Sequence, residues 1–237
     1  MNEKMKGIVT VFVDIDDTLW WFTENSKLAL RHTFDAFDIS SVCTYERFKE
    51  VYLKKNLELW NLYHHGLIDK DFLVNERFRF TLKECGYKGD VEKMCHLLDE
   101  EYLRFLALQS TTIPGARQLL EYLVARGYDV NTLSNGFQGT QQQKLISGGL
   151  SDLIHRNVLS DDCGITKPQR GIFDYALEQC GAEAATSVMI GDNPDADIKG
   201  AHDAGWRTIY FNIRGLDPIE DTADVVVTSL DEIQQIL

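Results

Sequence analysis

The stretch Gly7-Ile-Val-Thr-Val-Phe-Val-Asp-Ile-Asp-Asp-Thr18 decides the fold. Its first part, up to Val13, is short, β-branched and nearly all apolar, which is typical of a strand buried on both faces of a parallel sheet. Three carboxylates follow at once, those of Asp14, Asp16 and Asp17. Because ligand sites in open α/β sheets lie at the carboxyl ends of strands, this stretch predicts a parallel sheet with a site at its edge.

Further strand-like runs follow along the chain, at residues 128–133, 187–190, 207–211 and 224–227. Helical patterns lie between most of them, such as 116–126 and 171–180, and each of these two patterns is closed by a glycine. Strands that alternate with helices predict an α/β protein with a doubly wound, Rossmann-like parallel sheet.

Residues 23–109 differ from the rest of the chain because they contain no convincing strand pattern. They contain four helical patterns, at 26–37, 45–64, 70–85 and 91–108. Their many aromatic residues recur at helical spacing, which indicates core packing rather than a ligand site. We therefore predict an α/β core of residues 1–20 and 111–237, interrupted by an all-helical insertion at 21–110.

Composition excludes several classes of function. The formal net charge of −13 over 237 residues argues against a nucleic-acid polymer as partner. No apolar run approaches the roughly 20 residues that cross a bilayer, and the first residues lack the apolar core of a signal peptide. The five cysteines are scattered without a Cys-x-x-Cys pair, so we expect reduced thiols. A cytoplasmic protein is expected.

A second acidic cluster, Gly191-Asp-Asn-Pro-Asp-Ala-Asp197, follows another apolar run. Taken alone, it is equally typical of a glycine-proline turn. Its pairing with Asp14 and Asp16 favours a joint site, because crowded like charges are costly without a cation. Carboxylate oxygens suit Mg²⁺, and we therefore expect Mg²⁺ as the cofactor.

Two polar motifs lie between the acidic clusters. Ser134-Asn135-Gly136 ends a strand-like run and can aim a hydroxyl and backbone N–H groups at a phosphate oxygen, although such a tripeptide is often an ordinary turn. Lys167 precedes the helical pattern at 171–180, and a single lysine is usually a solvated charge. Both motifs become informative through their order along the chain.

The ordered motifs resemble those of the haloacid dehalogenase (HAD) superfamily, in the branch that carries a helical cap inserted after the first motif. The resemblance covers essentially the whole chain. It is carried by Asp14-Ile-Asp-Asp-Thr18, Ser134-Asn-Gly136, Lys167-Pro168 with Ile172-Phe173, and Gly191-Asp192 with Asp197-Ile-Lys-Gly-Ala201.

The resemblance implies a phosphatase that forms an aspartyl phosphate on Asp14. It implies that Asp16 protonates the leaving oxygen and then deprotonates the hydrolytic water. It further implies that the Asp14 carboxylate, the Asp16 backbone carbonyl and Asp192 hold Mg²⁺, with Asn193 or Asp195 assisting at the metal.

The resemblance also implies a phosphate-binding set. Ser134, the N–H of Asn135 and Lys167 would bind the transferring phosphoryl oxygens, next to Gly136. Asp197 would orient Lys167 or a metal-bound water. The helical insertion would act as a cap over the site, and residues near Trp20 together with the cap helices would set substrate preference.

Alternatives remain open within this fold. A haloacid dehalogenase uses the same nucleophile but needs neither Mg²⁺ nor the aspartates at positions 16 and 192, and a phosphomutase shares the aspartyl phosphate. A non-catalytic binding module is the alternative from another class. For a phosphatase we expect a small phosphorylated metabolite as partner, with nucleoside monophosphates, phosphoglycolate and sugar phosphates as candidates, and a monomer or small homo-oligomer.

Overall fold

The computed structural model describes residues 5–237. The chain divides into two compact units. One comprises the chain up to Phe22 together with Ser110–Leu237, and the other comprises Thr23–Gln109. The chain therefore leaves the first unit between Phe22 and Thr23 and returns to it between Gln109 and Ser110.

The unit Thr23–Gln109 is built from four helices: α1 (Phe22–Ala36), α2 (Tyr45–His64), α3 (Lys70–Glu84) and α4 (Val91–Ala107). Side chains cap the amino ends of the last three, because Thr44, Asp69 and Asp90 each accept a hydrogen bond from a backbone N–H three residues on. Helix α1 begins at Phe22, four residues before the predicted start at Ser26.

Aromatic residues form the core of this helical unit, as their spacing predicts. Phe48, Tyr52, Phe78 and Tyr102 are at most 1% exposed. The Tyr52 ring lies 4.6 Å from that of Phe78 and 5.5 Å from that of Tyr102, in tilted arrangements that suit aromatic quadrupoles.

In residues 5–237, six parallel strands form a single sheet in the order β3-β2-β1-β4-β5-β6. The strands are β1 (Thr10–Val13), β2 (Asp129–Ser134), β3 (Arg156–Leu159), β4 (Ser187–Gly191), β5 (Arg207–Phe211) and β6 (Val225–Val227). Strands β2 and β3 are added in turn on one side of β1, and β4, β5 and β6 are then added in turn on the other side. The predicted doubly wound α/β fold is therefore confirmed.

Strand β1 lies at the centre of the sheet, where all four of its residues are buried. Val13 pairs with Thr132 of β2 on one side and with Ile190 of β4 on the other. The carboxyl ends of β1, β2 and β4 consequently meet at one edge. The strand order reverses between β1 and β4, which is where ligands bind in such sheets.

The helices of the α/β unit are α5 (Ala116–Ala125), α6 (Gln138–Ser147), α7 (Ser160–Cys163), α8 (Arg170–Cys180) and α9 (Gly200–Asp203), and a π-helical segment (Pro194–Lys199) precedes α9. Buried Phe12, Leu133, Phe173, Met189 and Trp206 share one apolar cluster. Strand β3 and helix α6 were not predicted from the sequence.

No helix within residues 5–237 combines the length and apolar character that crossing a bilayer requires.

Candidate active site

Asp14 is the first residue after β1, and its position is set by the sheet. Its backbone N–H donates to the carbonyl oxygen of Ile190 at 2.9 Å, which continues the β1–β4 ladder by one bond. The side chain is therefore held at the sheet edge, and the residue is only 7% exposed.

Lys167 provides the positive charge beside Asp14. Its Nζ lies 2.7 Å from Asp14 Oδ1, 2.7 Å from Asp197 Oδ1 and 2.6 Å from the carbonyl oxygen of Leu133. Although burial by itself lowers the pKa of Lys167, the carboxylates of Asp14 and Asp197 outweigh it and raise that pKa. The ammonium group is thus charged, fully buried and fixed by three acceptors.

Burial dominates the electrostatics of Asp14. It raises the pKa of this carboxyl to about 7, against the opposing effect of Lys167, and the nearby carboxylates of Asp197 and Asp16 raise it further. Such a shift at the end of a central strand is typical of a functional group rather than of a surface acid.

Asp197 is supplied by the π-helical segment after β4. Its Oδ2 accepts the backbone N–H of Asn193 at 3.0 Å, while Oδ1 faces Lys167. A Cβ placed on Gly191 would lie 2.3 Å from Asp197 Oδ2, so only glycine allows this approach. The Asn193 side chain is used as a helix cap, accepting the N–H groups of Asp195 and Ala196 at 3.0 Å each.

Asp192 follows β4 directly and is 2% exposed. Burial raises its pKa well above the usual value, while the neighbouring guanidinium of Arg214 acts in the opposite direction. Arg214 Nη2 forms an ion pair with Asp192 Oδ2. Arg214 lies in the loop after β5, and nothing in the sequence pattern of that loop pointed to this contact.

Asp14, Asp192 and Asp197 form a buried carboxylate cluster. One oxygen from each lies within 4.8 Å of the others. Three hard oxygen donors this close together fit Mg²⁺, which prefers few carboxylates and retains several waters. Within the described residues, the cluster thus contains Asp197, which the sequence reasoning had assigned a supporting role.

Ser134 and Asn135 end β2 beside this cluster. Ser134 Oγ accepts hydrogen bonds from the Gly136 backbone N–H at 3.2 Å and from Gln141 Nε2 at 2.6 Å. Since two lone pairs are then occupied, the hydroxyl proton is available for donation. The Asn135 side chain instead binds the backbone N–H and carbonyl of Lys167, at 2.8 and 2.9 Å, and so ties the second motif to the third.

The side chain of Asp16 is turned toward α6. Lys144 Nζ donates to Asp16 Oδ1 at 2.7 Å and to Oδ2 at 3.0 Å, and Gln141 Nε2 donates to Oδ2 at 3.0 Å. Sequence reasoning missed Gln141 and Lys144. The available signal was their spacing of three residues in a segment that directly follows Ser134-Asn-Gly136.

Comparison with known proteins shows several that are similar to this chain. A sequence model of the haloacid dehalogenase-like hydrolase family matches residues 8–205. The putative HAD-hydrolase YfnB of Bacillus subtilis is 34% identical over 209 residues, which cover 88% of this chain and 86% of that protein. The pyrimidine 5'-nucleotidase YjjG of Escherichia coli is 33% identical over 229 residues, which cover 96% of each protein.

Solved structures extend the comparison. The crystal structure of YfnB bound to magnesium superposes with a TM-score of 0.87 at 31% identity, covering 98% of this chain and 99% of that chain. A dehalogenase crystal structure superposes with a TM-score of 0.74 at 22% identity, covering 98% of each chain. The second likeness shows a shared fold alone.

Proposed function

Because the chain belongs to the haloacid dehalogenase-like hydrolase family, we propose that it is a Mg²⁺-dependent phosphatase of small phosphomonoesters that uses Asp14 as nucleophile. The observation that carries this proposal is the buried cluster of Asp14, Asp192 and Asp197 at the edge where the strand order reverses, with Lys167 bound to both Asp14 and Asp197. Such a cluster combines a carboxylate nucleophile with groups that bind a cation and a phosphate.

The proposed first step is in-line attack by an Asp14 oxygen on phosphorus. The new bond joins that oxygen to phosphorus while the bond to the leaving oxygen breaks, and Asp16 donates a proton to the departing alcohol. Water then attacks the aspartyl phosphate, Asp16 accepts a proton from it, and inorganic phosphate leaves with Asp14 restored. When bound, Mg²⁺ offsets the negative charges of the carboxylates and the phosphoryl group.

The proposed phosphate-binding residues are Ser134, the backbone N–H of Asn135 and Lys167. In support, both lone pairs of Ser134 Oγ are occupied by donors, which leaves its proton for a phosphoryl oxygen. Lys167 is held rigidly at the nucleophile, so its charge needs no rearrangement as the transition state forms.

For substrate class we propose nucleoside 5'-monophosphates, on the basis of the similarity to YjjG, which is named a pyrimidine 5'-nucleotidase. The helical unit is proposed to act as the cap that selects the substrate. A phosphomutase or dehalogenase on this fold is the rival. Asp16 and Asp192 favour phosphoryl chemistry, since attack on a carbon–halogen bond needs neither a leaving-group acid nor a metal ligand.

The test is phosphate release from nucleoside monophosphates, sugar phosphates and phosphoglycolate, with Mg²⁺ and with chelator. Asp14→Asn is expected to lower kcat/KM by about 10³-fold or more, because a nucleophile is lost. The matched control is Asp174→Asn on α8, whose side chain is 54% exposed and whose ion pair with Arg170 lies on the surface. Halide release from 2-haloacids without phosphate release would contradict the proposal.

A further inference from the structure

Helix α6 has a polar inward face. Gln141 is 0% exposed and Lys144 is 3% exposed, whereas the intervening Gln142 is exposed. Residues three apart on a helix lie on the same side, so both side chains point in one direction. Burying an amide and an ammonium group costs free energy unless strong partners are present, and apolar residues would stabilise the packing more cheaply.

The partners of this face belong to the candidate active site. Both carboxylate oxygens of Asp16 are bound: Oδ1 by Lys144 at 2.7 Å, and Oδ2 by Lys144 and Gln141 at 3.0 Å each. An aspartate side chain rotates about two bonds, and contacts to both oxygens from two different residues fix both rotations. Asp16 is therefore held in one orientation.

Gln141 connects two motifs. Its Nε2 donates to Asp16 and, at 2.6 Å, to Ser134 Oγ, so a single amide group uses both of its hydrogens on active-site oxygens. The proposed acid and the proposed phosphate-binding hydroxyl are thereby held at a fixed separation.

Lys144 is itself immobilised. Its Nζ lies 4.9 Å from the ring centre of Trp20 and 5.2 Å from that of Phe22, at distances that suit cation–π contacts. The aromatic rings and Asp16 together leave the ammonium group little freedom to move. A buried and immobile lysine is better suited to orienting Asp16 than to binding a ligand from solvent.

We infer that Gln141 and Lys144 are positioning residues that aim Asp16 at the leaving-group oxygen. This inference rests on the proposed phosphatase function. Neither residue touches the reacting phosphorus, and both act through Asp16. Their contribution should therefore depend on how much the leaving group needs a proton. Alkoxide leaving groups need it strongly, whereas p-nitrophenolate departs without it.

The experiment compares an alkyl phosphate with p-nitrophenyl phosphate for wild type, Lys144→Met and Gln141→Leu. Methionine retains an apolar side chain against Trp20 and Phe22, so the first variant is expected to fold. Positioned general acids contribute about 10²- to 10⁴-fold. We expect Lys144→Met to lower kcat/KM about 100-fold on the alkyl ester and no more than about threefold on the aryl ester, mainly through kcat. Gln142→Leu on the same helix should change neither.

A double-mutant comparison tests the route of action. In the Asp16→Asn background, Lys144→Met should have no further effect on the alkyl ester, because a residue that acts through Asp16 has nothing left to position. Equal losses on both esters, losses in KM alone, or an undiminished effect in the Asp16→Asn background would each overturn the inference while leaving the phosphatase proposal intact. If wild type hydrolysed neither ester, the proposed function would fail, and this inference with it.

Discussion

The carboxylate of Asp14 carries two opposing influences. Burial raises its pKa to about 7, while Lys167 at 2.7 Å favours the ionised form. A bound cation also favours the ionised form, so a proton and a metal compete for the same oxygens. The residues around Asp14 thus determine whether its carboxylate is protonated or free to bind a cation.

A substitution at Gly136 is expected to disturb the site through the side chain of Gln141 and to leave the fold intact. A Cβ at this position would lie 2.3 Å from Gln141 Cδ and Nε2. The end of the glutamine side chain can move away, but only by leaving Ser134 and Asp16. We expect Gly136→Ala to lower phosphatase kcat/KM about 10- to 100-fold, since small misplacements cost about that much, with little change in thermal stability.

Gly139 provides the control for this substitution. It lies on α6, as Gln141 does, and a Cβ there would have no neighbour within 4 Å. Gly139→Ala should leave kcat/KM unchanged, and steady-state kinetics of both variants would check the prediction. A similar loss in both variants would mean that backbone freedom, rather than the clash with Gln141, is responsible.

Among the elements, α3 and α4 are joined by a buried ion pair. Arg77 Nε donates to Asp99 Oδ1 at 2.8 Å, and the two side chains are 3% and 9% exposed. Burial raises the pKa of Asp99 despite the facing guanidinium, whereas nearby Tyr52 and Asp99 raise the pKa of Arg77 despite its burial. Burial thus opposes the charge on each partner. The net contribution of the pair to stability is therefore smaller than the attraction between its charges, because both charges lose their hydration on burial.

Removing one partner should nevertheless be strongly destabilising. Asp99→Ala leaves the Arg77 guanidinium buried without its carboxylate, and we expect the free energy of unfolding to fall by about 3–5 kcal/mol. Replacing both residues, as Arg77→Met with Asp99→Leu, should recover most of that loss. Urea unfolding followed by circular dichroism measures both effects.

The exposed pair Arg31–Asp35 on α1 is the matched control, since its side chains are 54% and 53% exposed. Asp35→Ala should cost no more than about 0.5 kcal/mol. Equal losses at positions 35 and 99 would contradict the role assigned to burial.

Helix α4 also carries Glu101, whose pKa is lowered, whereas that of Asp99 is raised. Hydrogen bonds from Arg104 and His32 lower the pKa of Glu101 to about 2 from its usual 4.5. A pKa that is lower in the folded state contributes stability above about pH 4.5, and this contribution disappears as the pH falls toward 2. Glu101→Gln should thus lower the free energy of unfolding by about 1 kcal/mol near pH 7, and by progressively less below pH 4.5.

Unfolding measured at neutral pH and at several acidic values would check this trend. The neighbouring exposed Glu100 offers the control, because Glu100→Gln should show no such pH-dependent loss. If the difference in free energy of unfolding between wild type and Glu101→Gln grew as the pH fell, the prediction would be contradicted.

At the scale of the whole molecule, we expect the excess of negative charge to make thermal stability depend on bound Mg²⁺. The chain carries 37 acidic and 24 basic residues, and the carboxylate cluster concentrates negative charge in the interior. A ligand at 100 times its Kd stabilises the native state by about 2.7 kcal/mol. For a chain of this length we expect Mg²⁺ at that excess to raise Tm by about 5–10 °C.

Thermal melts with Mg²⁺, with chelator and with NaCl at matched ionic strength would measure this effect without any assay of activity. Asp192→Asn removes one member of the cluster and should abolish the Mg²⁺-specific shift. An equal shift in NaCl would attribute the stabilisation to general screening of the net charge instead.

The elements that the sequence reasoning missed share a physical cause. Strand β3 is an edge strand whose first two residues are not buried, so it has no continuous apolar run. In helix α6 the buried positions are Gln141, Lys144 and Leu145, so its inward face is largely polar. Hydrophobic periodicity cannot reveal a helix whose buried face serves a polar site.

The sequence by itself determined the α/β layer and the helical insertion and pointed to Asp14, Ser134 and Asp192, because apolar runs and the residues that end them are local features. Lys167 entered only through the order of the motifs along the chain. The tertiary structure alone decided the pairings. Lys167 meets Asp14 across 153 positions of chain, and Lys144 meets Asp16 across 128. Such contacts depend on the order of the strands and on which face of a helix is buried. Both are set by tertiary packing, so the local sequence around each partner does not reveal them.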